Sequence, residues 1–128
     1  MQISVGTYDI DFAGHVSNIV YLRWFEALRL KIFEDYYPLQ PLMERGLLPI
    51  IASHHIEYKR PVKLFDKPTG HMWIESAGSA RMIFQGEIRV GGEAATTATH
   101  VGLFVDSKSM RPVRIPKEIL DLIRKNAG

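Results

Sequence analysis

The feature that most constrains this chain of 128 residues is a long helical pattern that begins near Asn18. Apolar side chains recur there at the spacing of one face of an α-helix. The members of this stripe are Tyr21, Phe25, Leu28, Ile32 and Tyr36. Ser17 or Asn18 can cap the start, and Pro38 with Pro41 ends the pattern. A helix of about five turns is long for so small a chain, so it must lie against a broad partner.

The rest of the chain supplies that partner as short β-strands. We predict a first strand over 2–8, and a turn at Ala13-Gly14 precedes the helix. After a short helical turn in "LMERGLL", strands are predicted over 50–60, 71–77, 80–90 and 93–106, and Pro116 opens a short final helix. "VGGE" is a hairpin signal between the last two strands. Connections this short require antiparallel pairing, so we predict one α+β domain over 1–128, a single sheet wrapped on the long helix.

Composition excludes several classes of protein. Sixteen Lys and Arg against fourteen Asp and Glu leave a net charge of +2, too small for a nucleic-acid binder. The absence of cysteine excludes disulfides and a thiol nucleophile. No apolar run approaches the ~20 residues of a membrane span, and the start lacks the features of a signal peptide. We therefore expect a soluble cytoplasmic protein with no membrane partner, and one helix leaves spare sheet surface for a homo-oligomer.

Familiar catalytic and metal motifs are missing. There is no G-x-S-x-G and no phosphate-binding glycine loop. His54, His55 and Glu57 are close in sequence, but strand alternation turns His54 away from the other two, so we predict no metal site. His71 and His100 stand alone within strands and are assigned structural or interfacial places. Trp24 and Trp73 are assigned to the core or an interface.

The residues before the long helix remain as the candidate site. The free N–H groups at a helix start carry a partial positive charge and can hold an anion or a polarised carbonyl oxygen. A turn through Gly14 can bring the Asp11 carboxylate back to the helix start near Asn18. Such an acid can attack an activated acyl group or deprotonate a water that does. The alternative is that Asp9, Asp11 and Asn18 are only turn and capping residues.

The stretch "YDIDFAGHVSNIVYLRWFEALRL" resembles the signature of the hotdog-fold acyl-CoA thioesterases of the 4-hydroxybenzoyl-CoA thioesterase type. The matching positions are Asp9, Asp11, Gly14, Val16, Asn18, Tyr21 and Trp24. "IEYKRPVKLFD" and "VDSKSMRPVRIPKEI" resemble later segments of the family more loosely, so the resemblance covers almost the whole chain. Two departures, Phe12 after the second aspartate and Ser17 before Asn18, leave the acyl specificity open.

The resemblance implies a five-stranded antiparallel sheet around the central helix and a homodimer or homotetramer with sites at the subunit interface. It implies that Asp11 is the catalytic carboxylate and that the backbone N–H near Asn18 polarises the thioester carbonyl. Gly14 and His15 would line the site. The reaction needs no metal and no cofactor beyond the coenzyme A of the substrate.

By the same resemblance the CoA phosphates would lie on surface cations, for which we nominate Lys59, Arg60, Lys63 and Arg81. Each of these is also an ordinary solvated charge, so a purely structural reading stays open.

Three other functions fit the same fold. An acyl carrier protein could replace CoA as the acyl donor, or the chain could be a non-catalytic acyl-binding module. The hydratases of this fold use D-x-N-P-x-H, but here Asp11 and His15 are four residues apart and the Asn-Pro is missing. A lyase is therefore disfavoured.

Overall fold

The long helical pattern forms one helix, α1, over Asn18–Tyr36. The structure is a computed structural model, and it describes residues 1–126. Ser17 precedes α1 in an extended conformation but makes no side-chain capping bond. The helix ends where Tyr37 donates its N–H to the Phe33 carbonyl (2.8 Å), immediately before Pro38. Two shorter helices follow later in the chain, α2 over Leu39–Glu44 and α3 over Lys117–Asn126.

The strands form one antiparallel sheet. Their bounds are Leu47–Tyr58 (β1), Thr69–Ala77 (β2), Arg81–Val90 (β3), Glu93–Asp106 (β4) and Pro112–Val113 (β5). The order across the sheet is β1-β4-β3-β2, with β5 also paired to β4. Gly91 and Gly92, at φ of 59° and 82°, make the tight turn between β3 and β4 that "VGGE" predicts. The predicted α+β class, with five antiparallel strands and one long helix, is confirmed.

The first predicted strand, over 2–8, is wrong. Only Gln2 forms a bridge, to Thr69 at the start of β2, and Thr7–Asp9 is a 3₁₀ turn. The cause is Asp9, whose buried carboxylate accepts the Gly6 N–H at 2.9 Å and closes the turn. The short β5 is the fifth strand instead.

The core has two parts along α1. Phe25 and Leu28 pack with Val62 and Ile88 near the start of the helix. Near its end Phe33 packs with residues of α2, α3 and β3–β5. The predicted apolar stripe does not continue to Tyr36, which is 57% exposed. The buried side chains at the end of α1 are Phe33 and Tyr37 instead, because these two pack in one cluster with residues of α3.

Candidate active site

A tight turn over 10–16 carries the candidate carboxylate. Ile10 and Val16 form a bridge, the Asp11 N–H donates to the His15 carbonyl (2.9 Å), and the Gly14 N–H donates to the Asp11 carbonyl (3.0 Å). Gly14 has φ of +79°, a left-handed conformation that a residue with a Cβ adopts only at a cost. A Cβ on Gly14 would meet no atom within 4 Å, so the backbone conformation alone requires glycine.

The turn fixes the Asp11 side chain. Its Oδ1 accepts the Ala13 N–H at 2.9 Å and the His15 N–H at 3.4 Å. Within residues 1–126 its Oδ2 makes no hydrogen bond, and the side chain is exposed. One oxygen therefore orients the carboxylate while the other stays available.

Asp9 has a different environment although it is only two residues away. It is buried, and its Oδ2 is occupied by the Gly6 N–H. Its carbonyl accepts the Ser17 N–H at 2.8 Å, which ties the 3₁₀ turn to the start of α1. These contacts give Asp9 a structural place and leave Asp11 as the accessible acid.

The start of α1 presents backbone donors beside this turn. Val20 donates to the Ser17 carbonyl (2.9 Å), but the N–H groups of Asn18 and Ile19 have no partner within the part of the chain that the structure describes. The first turn of α1 contains no acid. The positive end of the helix dipole, worth ~0.5 of a unit charge, is therefore not neutralised from within the helix.

The opposite wall of the site comes from the chain after β1. The Val62 carbonyl accepts the Val16 N–H (2.9 Å), and the Val62 N–H donates to the Tyr21 hydroxyl (3.2 Å). These two bonds hold 59–62 beside the turn and the helix start. Together they enclose an open cleft of about 260 Å³. Its lining residues are Asp11, His15, Val16, Asn18, Tyr21, Tyr58, Lys59, Arg60 and Pro61.

Tyr21 forms the floor of this cleft. Its ring packs edge-to-face on Trp24 (5.3 Å between centroids) and on Tyr58 (5.1 Å). Burial raises the pKa of the Tyr21 phenol above its usual range, so the hydroxyl is neutral at physiological pH.

The structure brings together some of the nominated residues and not others. Asp11, Gly14, His15 and Asn18 meet at the turn, and Lys59 and Arg60 line the same cleft. Lys63 lies in an adjoining cleft that shares Arg60 and Pro61 with the first.

Arg81 lies elsewhere in the protomer. It pairs with Leu103 of β4, whereas the cleft end of β1 pairs Tyr58 with Thr96. Those two points on β4 are about 23 Å apart at the rise of a strand. Arg81 is therefore not near Asp11 within one chain.

Sequence reasoning missed Tyr58, Pro61 and the Tyr21 hydroxyl as parts of the site. Tyr21 belongs to the matched motif, and the other two belong to the second matched segment, so a signal was present. Their nearness to Asp11 depends on the bonds to Val62, which no local pattern reveals.

The remaining candidates lie outside this cleft. His55 and Glu57 share a strand face, 3.3 Å apart, as strand alternation predicts, while the ring of His54 lies 5.7 Å from that of His100 on β4. Across residues 1–126 no three His, Asp or Glu side chains are grouped as metal ligands. In the same part of the chain, no helix has the length and apolar character needed to cross a membrane.

The sequence of the chain is similar to those of known proteins over most of its length. The chain is 25% identical over 118 residues to a putative esterase of Aquifex aeolicus, covering 91% of each chain. It is 24% identical over 126 residues to the long-chain acyl-CoA thioesterase FadM of Escherichia coli, covering 97% of this chain and 96% of that protein.

A solved structure is also similar. A Thermus thermophilus thioesterase complexed with coenzyme A and Zn superposes with a TM-score of 0.85 at 25% identity, over 100% of this chain and 93% of that one. The model of the thioesterase-like superfamily matches residues 5–123, which is nearly the whole chain. The chain belongs to the thioesterase-like superfamily.

Proposed function

We propose that the protein hydrolyses an acyl-CoA thioester to a free acid and CoA, with Asp11 as the catalytic carboxylate. One observation carries this proposal: a single cleft is lined both by Asp11, whose carboxylate is exposed, and by Asn18, the first residue of α1, whose N–H has no partner within residues 1–126. An acid beside preorganised N–H donors is the apparatus that acyl transfer requires. Two relatives, the acyl-CoA thioesterase FadM and the thioesterase complexed with coenzyme A, support CoA as the acyl donor.

The reaction can follow either of two routes. As a nucleophile, the free Oδ2 of Asp11 attacks the carbonyl carbon, the C–S bond breaks to release CoA thiolate, and water then hydrolyses the mixed anhydride. As a general base, Asp11 takes a proton from water, the hydroxide attacks the carbonyl, and the thiolate leaves and is protonated. In both routes negative charge develops on the thioester oxygen, where the N–H groups of Asn18 and Ile19 stabilise it.

Neighbouring residues support Asp11 in this proposal. Gly14 gives the turn the left-handed conformation that places two N–H donors on the carboxylate. The His15 side chain lines the cleft and contacts substrate. Two acyl groups are candidates: the aromatic group of the 4-hydroxybenzoyl-CoA type that the motif resembles, and the long-chain group in the name of FadM.

We further propose that the working form is a homodimer built through β1. This twelve-residue strand is an edge of the sheet, and an unpaired edge of that length recruits another strand. The exposed face of α1 carries three apolar side chains, Ile19, Leu22 and Leu30, and Leu30 lines a cleft together with residues of β1. A second copy would cover both surfaces. Light scattering tests this form, and a stable monomer at the concentrations used for activity assays would contradict it.

Thiol release across short, long and aromatic acyl-CoAs tests the activity. We expect Asp11→Asn to lower kcat by ~10²-fold or more, because the amide neither attacks a thioester nor takes a proton from water. The matched control is Asp35→Asn, an exposed acid at the far end of α1 whose partner is Lys31 (3.5 Å). The control should keep native kcat, and both variants should keep the native circular dichroism spectrum.

The outcomes separate the alternatives. Lack of turnover on every acyl-CoA, with turnover on an acyl carrier protein substrate, would move the assignment to an acyl-ACP thioesterase. Binding without turnover on either donor would indicate a non-catalytic acyl-binding module. Near-native kcat in Asp11→Asn would remove Asp11 from the mechanism. Single turnover in ¹⁸O-water tests the nucleophilic route: label in the Asp11 carboxylate would show a mixed anhydride that water opens at the Asp11 carbonyl, since a general base acquires none.

A further inference from the structure

A second cavity lies along the later half of α1, where α2 and β1 meet the helix. Its volume is about 160 Å³, and it is partly open to solvent. Apart from two charged residues of α1, Glu26 and Arg29, its walls are apolar side chains and one glycine. It shares no lining residue with the cleft of the proposed active site, so the two are separate within the protomer.

Arg29 brings an uncompensated positive charge to this cavity. Its side chain is partly buried, and within residues 1–126 its guanidinium makes no ion pair. Burial lowers the pKa of the Arg29 guanidinium below its usual range, although the charge of Glu26 raises it. The nearby His100 is buried and supplies no negative charge. A guanidinium that has lost hydration without gaining a partner is costly, and a carboxylate that accepts two parallel N–H bonds removes this cost.

Glu26 does not fill this role. It precedes Arg29 by three residues on the same helix, but in the described part of the chain its carboxylate does not come within ion-pair distance of the guanidinium. Glu26 is exposed, so water hydrates its carboxylate. The planar donor edge of Arg29 therefore stays available, and the charge of Glu26 opposes an anion bound there.

The volume of the cavity limits the body of such a ligand. In another protein, an apolar cavity of about 150 Å³ binds benzene. A cavity of about 160 Å³ therefore has room for one ring of this size. Leu30, which also lines the cavity, lies on the face of α1 that the proposed second copy would cover. That cover would exclude ligands that extend far beyond the cavity.

We propose that this cavity binds a monocarboxylic acid whose apolar body is the size of one benzene ring. The ring lies among Phe33, Met43 and Phe84, and the carboxylate accepts two N–H bonds from Arg29. The apolar walls favour the ring over water, while the guanidinium selects a carboxylate over a neutral group of the same shape. The inference does not depend on the proposed function, because no residue of the Asp11 cleft takes part.

Titration calorimetry of the full chain with benzoate tests this site, and benzamide is the uncharged probe of the same shape. We expect saturable binding of benzoate, and binding of benzamide that is about tenfold weaker or more. Arg29→Met keeps an apolar stem and removes the charge, so it should weaken benzoate binding about tenfold or more and leave benzamide binding unchanged. Arg29→Lys keeps the charge without the planar edge and should bind benzoate with intermediate affinity. Arg23→Met, at an exposed arginine of the same helix, should behave as native.

A gain of affinity provides a test that misfolding cannot imitate. Glu26→Gln removes the negative charge beside the bound carboxylate, so it should bind benzoate more tightly than native and bind benzamide equally well. Benzoate should also raise the urea midpoint of the native protein and not that of Arg29→Met.

Several results would overturn the proposal. Native protein that shows no saturable binding of benzoate lacks the site. Equal affinities of native protein for benzoate and benzamide would remove Arg29 from recognition. A KM for acyl-CoA that rises in step with benzoate binding at Arg29 would make the cavity part of the substrate site. A monomeric Arg29→Met, with no benzoate binding by native protein, would assign the guanidinium to contact with a second copy. If native protein hydrolyses no thioester, the proposed function fails, and the calorimetry still decides this site.

Discussion

Lowering the pH is expected to weaken the fold through one buried histidine, His100 of β4. The side chain is 2% exposed, and neither ring nitrogen has a hydrogen-bond partner within residues 1–126. Its ring packs against Phe25 of α1 (5.6 Å) and His54 of β1 (5.7 Å). Burial, with the nearby positive charges of Arg29 and His54, lowers the pKa of His100 to about 4.

The sign and size of the effect follow from proton linkage. In the unfolded chain a histidine has a pKa of about 6.5, so between pH 6.5 and 4 the unfolded state binds the proton and the folded state does not. The contribution of His100 to the free energy of unfolding is therefore fully retained above pH 6.5 and falls as the pH decreases towards 4. For pKa values of about 4 and 6.5, the loss between pH 7.5 and pH 5 is about 2 kcal/mol.

Urea unfolding at a fixed protein concentration, at several pH values from 7.5 to 5, measures this loss. Carboxylates also titrate in this range, so the quantity to compare is the difference between native protein and His100→Leu, which has no proton to bind. We expect the variant to lose about 2 kcal/mol less than native over the range. His71→Gln, at an exposed histidine of β2, should follow the native curve. Parallel curves for native protein and His100→Leu would refute the reasoning, and His100→Gln repeats the test if the leucine variant does not fold.

Two glycines give further predictions. Gly86→Ala should lower the free energy of unfolding by about 1–3 kcal/mol, because the new Cβ would lie 2.9 Å from the Phe25 ring, whereas Gly78→Ala, with no atom within 4 Å, should change it by less than about 0.5 kcal/mol. Equal urea midpoints for the two variants would contradict this packing argument. Gly14→Ala should reduce kcat with little change in KM, because φ of +79° strains a residue with a Cβ, and Gly14→Asn should retain more activity since asparagine tolerates that conformation. Similar kcat values for the two Gly14 variants would show that the turn does not control the site.

Much of the fold could be predicted because its signals are local. The alternation of Met82, Phe84 and Ile88 defines the inner face of β3, and all three are buried. As expected, α1 ends just before Pro38, because proline has no N–H to donate to a helix carbonyl. The first strand failed because a single side-chain bond, from the Gly6 N–H to Asp9, outweighs the extended tendency of "QISVGTY".

The candidate site also has one part that local sequence predicts and one part that it does not. The sequence by itself determined that an acid, a glycine and a free helix start are adjacent along the chain, since a turn and a helix follow from short-range spacing. Of the two neighbouring acids, the resemblance already marked Asp11 as the catalytic candidate. Only the tertiary structure decided that Asp9 is buried and bonded to Gly6 while Asp11 remains exposed with one oxygen available.

The second wall of the cleft depended entirely on tertiary contacts. Tyr21 accepts the Val62 N–H across 41 positions of sequence, and Val16 donates to the Val62 carbonyl. These bonds form only when α1 packs on the sheet, because packing brings the end of β1 to the start of the helix. Asp11 could be found in the sequence because it lies a short distance before the helix start, whereas the neighbours that complete its cleft became visible only in the fold.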